Sequence, residues 1–214
     1  VLHVPRPDAA LSLVDWRRRV AALYAAVRAE AEPAAGHELW VRGRDELFGR
    51  HPDSPLPVGD PLRTTGLPVW PYDPAWRFEV PLEPASPAAG GAGDDAGRTV
   101  DLAADGVLEM VRIGTVDVPD PAGGVLDVWW LNQYGGGIFL PVRDATAGTT
   151  SYGAGRYLLD TAKNADLGTR DGRLVLDFNF LYHPSCRYDP AWTCPLAPAG
   201  NRLTSAAEVG ERLP

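Results

Sequence analysis

The sequence predicts a mainly β, α+β chain: an antiparallel sheet, curled into a barrel or a sandwich, with two N-terminal helices packed on it. Three observations carry that expectation. Apolar residues recur at helical spacing only in the first 50 residues. From Trp76 onward they alternate with polar ones, the period of a half-buried strand. Gly and Pro, 23 and 21 of 214 residues, divide the remainder into short segments joined by turns.

The first helix is placed at 12–32, with Ser12 and Asp15 as a capping box. Trp16, Val20, Leu23, Tyr24 and Val27 share one face, and Arg17, Arg18 and Arg19 lie mostly off it. Pro33 marks the break. A second helix is placed at 36–49, with Trp40, Val41, Arg44, Leu47 and Phe48 on its inner stripe and Gly49 as its stop. Trp16, Leu23, Val27, Trp40, Leu47 and Phe48 are expected to be buried. Residues 50–75 carry prolines at 52, 55, 57, 61, 68, 71 and 74, an extended connector long enough to pack over the core.

Within the β region, 76–178, Trp76, Phe78, Val80 and Leu82 define the first strand. Residues 84–97, rich in Ala, Gly, Pro and Asp, read as a mobile surface loop. Strands at 98–102 and 107–113 are joined by the Asp105-Gly106 turn signal, and 115–118 continues the second. Asp120-Pro121-Ala122-Gly123-Gly124 is a further turn. Strands at 125–131 and 138–143 flank Tyr134-Gly135-Gly136-Gly137, and strands at 156–160 and 173–178 flank a polar loop around Lys163. The tail, 179–214, is expected to be irregular until a short helix at Ser205, capped by Glu208. Tyr-Asp-Pro-Ala-Trp occurs at 72–76 and again at 188–192, two similar turns that each lead an aromatic into the core. All of this fits one domain spanning 1–214.

Composition excludes several functions. A net charge of −8 and a pI near 4.9 repel a phosphate backbone, so no nucleic-acid partner is expected. No apolar run is long enough for a membrane span, and Val1 to Pro5 show no signal-peptide pattern, which makes the cytoplasm the expected location. Lys163 is the one lysine and sits in a polar loop, which argues against amine chemistry. Gly135-Gly136-Gly137 precedes a strand rather than a helix and reads as a hairpin, not a phosphate loop. Gly153 and Gly155 mark a bulge or a close backbone approach. Ser151-Tyr152-Gly153 lacks a nucleophile elbow. No feature specifies an oligomeric state.

The chemistry-bearing residues concentrate between Asp144 and Asn201. They are Asp144-x-Thr146-x-Gly148, Ser151-Tyr152-Gly153-x-Gly155-Arg156-Tyr157-Leu158, Leu176-Asp177-Phe178-Asn179, Tyr182-x-Pro184-x-Cys186, Cys194-Pro195-Leu196 and Asn201-x-Leu203. On these motifs the chain resembles an uncharacterised prokaryotic family known as a domain of unknown function, strongly over 139–211 and loosely at Trp16-Arg17 and 44–56. Ser151 stands where the family commonly has Thr. The resemblance implies membership and no activity.

Arg156 and Asp177 each lie inside an apolar strand, so each is paired or on a solvent face. One reading is a salt bridge or a set of backbone bonds that pins the sheet. The hairpin topology predicts an Arg156–Asp177 pair. The other reading is an anionic-ligand site. In it Arg156 clamps a carboxylate or phosphate, Asp144 or Asp177 is the base, and Tyr152, Asn179, Tyr182 and His183 join them. Cys186 and Cys194 are expected close together in a structural role, disulfide or reduced. A zinc site with His183 lacks the usual ligand spacing. No cofactor is expected. The reading of the whole is a small-molecule binder with a polar-rimmed pocket. Its rivals are an acid–base enzyme for a small anion and a structural or interaction module without ligand.

Overall fold

The protein is described by a computed structural model over residues 6–85, 97–102 and 106–214. Helix α1 spans Pro7–Ala29 and α2 spans Pro33–Arg50, each beginning earlier than the periodicity indicates. Both start on proline, whose missing N–H falls where a helix has no acceptor to offer. Ser12 is therefore no cap. It lies inside α1, where its hydroxyl donates to Asp53, while Asp15 accepts from Arg19 at 2.8 Å. Gly49 is no stop either, since α2 runs past it. A Cβ there would sit 2.7 Å from the Arg63 carbonyl, so the glycine admits the crossing chain. Val27, Trp40, Leu47 and Phe48 are buried, whereas Trp16 and Leu23 are half-buried at the edge of the helix pair.

The Pro-rich connector folds over the helices. Leu56 and Leu67 bury against Leu47 and Phe48, and a short helix, α3 (Leu62–Thr65), interrupts it. Its far end meets the C-terminal tail, with Trp70 N–H donating to the Gly210 carbonyl at 2.9 Å.

The strands are β1 (Arg77–Val80), β2 (Glu83–Pro84), β3 (Gly97–Asp101), β4 (Val107–Val118), β5 (Gly124–Asn132), β6 (Ile138–Val142), β7 (Arg156–Asp160), β8 (Thr169–Arg170) and β9 (Arg173–Asp177). Every named pairing is antiparallel. They form a three-stranded sheet, β1-β9-β8, and a six-stranded sheet, β2-β4-β5-β6-β7, with β3 also on β4. Neither closes into a barrel. Phe78, Val80 and Leu176 of the small sheet share one core with Val116, Leu126, Val128 and Leu140 of the large one. The low-complexity loop lies for the most part outside the described residues, as does Asp105 of the following turn; Glu83 and Pro84, at the loop's start, pair with Thr115 and Gly114.

Three expectations are corrected. Strands β7 and β9 do not form a hairpin. β7 pairs with β6 (Val142↔Arg156) and β9 with β1 (Arg77↔Asp177), so Arg156 and Asp177 stand in different sheets. Both strands are buried almost throughout, so their apolar pattern identifies no partner. No helix forms after Ser205. The carbonyls of Ala207, Val209 and Glu211 accept from Arg156 instead, and a helix would have claimed them. The repeated pentapeptides do make matching turns, with Asp73 accepting from Ala75 N–H at 2.9 Å and Asp189 from Ala191 N–H at 2.8 Å. Only Trp76 enters the core, Trp192 being 43% exposed.

Gly155 immediately precedes β7. Its φ is +96° and an added Cβ would lie 2.5 Å from the Val142 carbonyl oxygen. Gly155→Ala is expected to lose about 1–3 kcal/mol in urea denaturation, from an unfavourable backbone region and a forced β6–β7 separation.

Candidate functional site

The polar motif residues gather in three places rather than one. At the first, Arg156 is fully buried, and its guanidinium donates to Asp144 Oδ2 at 2.8 Å and to the carbonyls of Val209 (2.6 Å), Glu211 (2.9 Å) and Ala207 (2.8 Å). Asp144 Oδ1 accepts from Thr146 N–H and Oγ1–H and from Ala207 N–H. Burial pushes the Asp144 carboxyl up, but the Arg156 charge and the Thr146 hydrogen bonds outweigh it and hold the group below its ordinary value. The Arg156–Asp177 pair is thus replaced by Arg156–Asp144. Both terminal nitrogens of the Arg156 guanidinium are committed to the protein, and its buried Nε has no partner among the described residues, which leaves no fork open for a ligand.

The second centre gathers the candidates Tyr152, Tyr182 and His183 around Glu211, a residue the sequence did not single out. Glu211 is buried in the tail and accepts from Arg44 Nη2 (2.9 Å), from His183 N–H (2.9 Å) and from the Tyr188 hydroxyl. Burial raises its carboxyl, and His183 and Arg44 more than reverse that, leaving it lowered. The Arg44 guanidinium also lies over the rings of Trp40, Phe48 and Tyr182 at 4.7–5.1 Å. Tyr182 packs edge-on to Tyr157, and burial drives its phenol well above the usual range. His183 has both ring nitrogens engaged: Nε2 accepts from Tyr152 N–H at 3.1 Å, and Nδ1 faces Glu211 at 3.4 Å. It is not turned toward Cys186 and Cys194 as a ligand. Among the described residues no three His, Cys, Asp or Glu side chains are arranged to hold a metal ion. The available signal for this centre was Arg44, a charge on the buried stripe of a helix, which demands a buried partner.

Asp177 anchors the third. Its Oδ1 accepts from Asn179 N–H (3.1 Å) and Nδ2–H (2.7 Å), and its Oδ2 from the Tyr72 hydroxyl (3.2 Å). Asn179 is spent on Asp177 and on the Asp73 backbone, which closes the turn before β1. Burial pushes the Asp177 carboxyl up further than Asn179 and Arg77 pull it down, so the group is raised. Here a cleft of about 160 Å³ opens between the α1–α2 turn and the small sheet. Arg28, Glu30, Arg77, Arg170, Asp177 and Phe180 line it. Arg77 Nη1 is 3.9 Å from Asp177, Arg170 is 3.2 Å from Glu79, and Arg28 donates to the Asp166 carbonyl at 2.7 Å. Of the candidate site residues, Asp177 alone borders this cleft. A wider hollow on the outer side of α2 holds Arg42, Arg50 and Arg63. There Arg63 is committed to the carbonyls of Leu56 and Pro57.

No helix among the described residues is long and apolar enough to cross a membrane. The family described as "Protein of unknown function (DUF1684)" matches residues 63–212. A solution NMR structure of an uncharacterized protein from Haloarcula marismortui is similar, with 29% identity and a TM-score of 0.55 over 82% of this chain and 91% of that one. No curated protein matches the chain.

Proposed function

The chain belongs to the DUF1684 family of proteins of unknown function, and from that premise we propose that it binds a small molecule bearing a phosphate or carboxylate group in the cleft between the α1–α2 turn and the small sheet. The observation that carries this reading is the cleft's composition: Arg28, Arg77 and Arg170 line it together with a buried carboxyl, Asp177, which lies 3.9 Å from Arg77. Guanidinium forks match the planar or tetrahedral oxygens of such groups, and they bind most strongly where water is partly excluded. A carboxyl whose pKa is raised takes a proton more readily. In that state it no longer repels an anion and can donate to it. Asp144, Tyr152, Arg156, Asn179 and His183 act in this reading as the frame that holds the tail and the β1 turn, not as ligand contacts.

Calorimetric titration with inorganic phosphate and with sulfate tests it. Both are expected to bind, and Arg77→Gln to weaken binding by about tenfold or more, as for loss of a charge-assisted hydrogen bond. Sulfate keeps its charge across the acid range, so its affinity should rise as pH falls and Asp177 takes up a proton. Asp177→Asn should flatten that rise. Equal binding to the parent and to Arg77→Gln, or none to either at millimolar anion, would refute the proposal.

A further inference from the structure

Cys186 and Cys194 take no part in the cleft or in the buried ion pairs, yet they are placed together with care. Both are free thiols, half-buried and open to solvent on one side. Cys186 lies between His183 and Tyr188, two residues that both bond Glu211. Cys194 is followed by Pro195, whose carbonyl accepts from the Tyr157 hydroxyl at 2.6 Å. Each sulfur is thus carried by a segment tied to the core. The Cys186 backbone N–H donates to Cys194 Sγ at 3.4 Å, and the Tyr152 hydroxyl lies 3.9 Å from Cys186 Sγ.

We propose that the two residues form a thiol–disulfide exchange site for a low-molecular-weight disulfide, with Cys194 as the attacking sulfur and Cys186 as the resolving one. The environment makes the two unequal. The neighbouring Cys186 thiol lowers Cys194, against its burial, with the Cys186 N–H and the Lys163 charge assisting. Its counterpart effect, with burial, pushes Cys186 upward. The backbone N–H aimed at Cys194 Sγ thus favours negative charge on Cys194 and leaves the proton on Cys186, the division that an attacking and a resolving thiol require.

In the first step the Cys194 thiolate attacks one sulfur of R–S–S–R. The S–S bond breaks, a Cys194–S–S–R bond forms, and RS⁻ leaves. In the second, Cys186 gives up its proton to solvent or to a leaving thiolate and attacks Cys194 Sγ. The Cys186–Cys194 disulfide forms and the second RS⁻ departs. Two protein thiols are oxidised and one disulfide is reduced to two thiols.

The test uses the full chain and an aromatic disulfide whose released thiolate absorbs visible light. The parent should release two thiolates per chain and lose the mass of two hydrogen atoms without retaining the reagent. Cys186→Ser should react at a comparable rate but stop at one thiolate and hold the reagent as a mixed disulfide. Cys194→Ser should react about tenfold more slowly or worse, because its remaining sulfur keeps its proton. Circular dichroism of both variants establishes that they are folded. A parent that stops at a stable mixed disulfide would overturn the proposal. So would a Cys194→Ser protein as fast as the parent, or stoichiometric zinc bound to the purified parent through both sulfurs.

Discussion

Arg156→Ala should lower the free energy of unfolding by about 3–5 kcal/mol, the range expected when one partner of a buried ion pair is removed. The substitution strands the Asp144 carboxylate without its charge partner, and it frees the carbonyls of Ala207, Val209 and Glu211 from their common donor. Asp144→Ala should cost a similar amount by stranding the guanidinium. The double variant should cost well under the sum, since a pair removed together leaves no buried charge. Urea denaturation of the four proteins measures this coupling directly. The sign of the pH dependence also changes. In the parent the Asp144 pKa is depressed, so its contribution is present above the unfolded carboxylate value and lost as pH falls through the folded one. Without Arg156, burial dominates and the pKa rises. The variant's deficit should then shrink at acid pH, where Asp144 is protonated. Two variants as stable as the parent would dismiss the buried pair as the tail's anchor.

Glu211→Gln is expected to cost about as much, again about 3–5 kcal/mol at neutral pH. The amide oxygen can still accept from His183 N–H, but an amide nitrogen cannot accept from Tyr188, and the Arg44 charge beneath three aromatic rings loses its counter-ion. Because the Glu211 carboxyl is held low, its stabilisation is present above the unfolded carboxylate range and vanishes as pH falls through the depressed value. Parent and variant stabilities should therefore converge in strong acid and separate as pH rises. A constant gap across that range would show that packing at residue 211, not its charge, is what matters. The tail carries the partners of both buried arginines. Both variants should accordingly expose the chain beyond about residue 200 to limited proteolysis at lower denaturant than the parent does.

Local pattern made much of this legible. The helical stripes, the alternation from Phe78 to Val80, and the turn glycines all act between neighbours a few residues apart, and α1, α2 and most strands stand within a few residues of their expected places. Arg156 and Asp177 announced themselves as charges in apolar strands, and Gly155 as a close approach. Their partners were hidden. Alternation says which face of a strand is buried, not which strand lies beside it. In β7 and β9, buried on nearly every side chain, even that signal fades. The tail has no period at all. Glu211 in Val209-Gly210-Glu211 therefore carries no local sign of burial, and Ser205 to Glu208 resembled a helix start.

What the sequence by itself determined was the inventory: two amphipathic helices, short antiparallel strands, and a few charges too deep to stand alone. Tertiary structure decided the pairings. Arg156 takes Asp144 and the tail's carbonyls because β7 joins β6 in the large sheet. Asp177 takes Tyr72 and Asn179 because β9 joins β1 in the small one. The physical reason is one of range. Backbone propensity and side-chain period are set by adjacent residues. The choice of partner for a buried charge depends on which distant segment brings a counter-charge and open backbone groups into the same water-free volume.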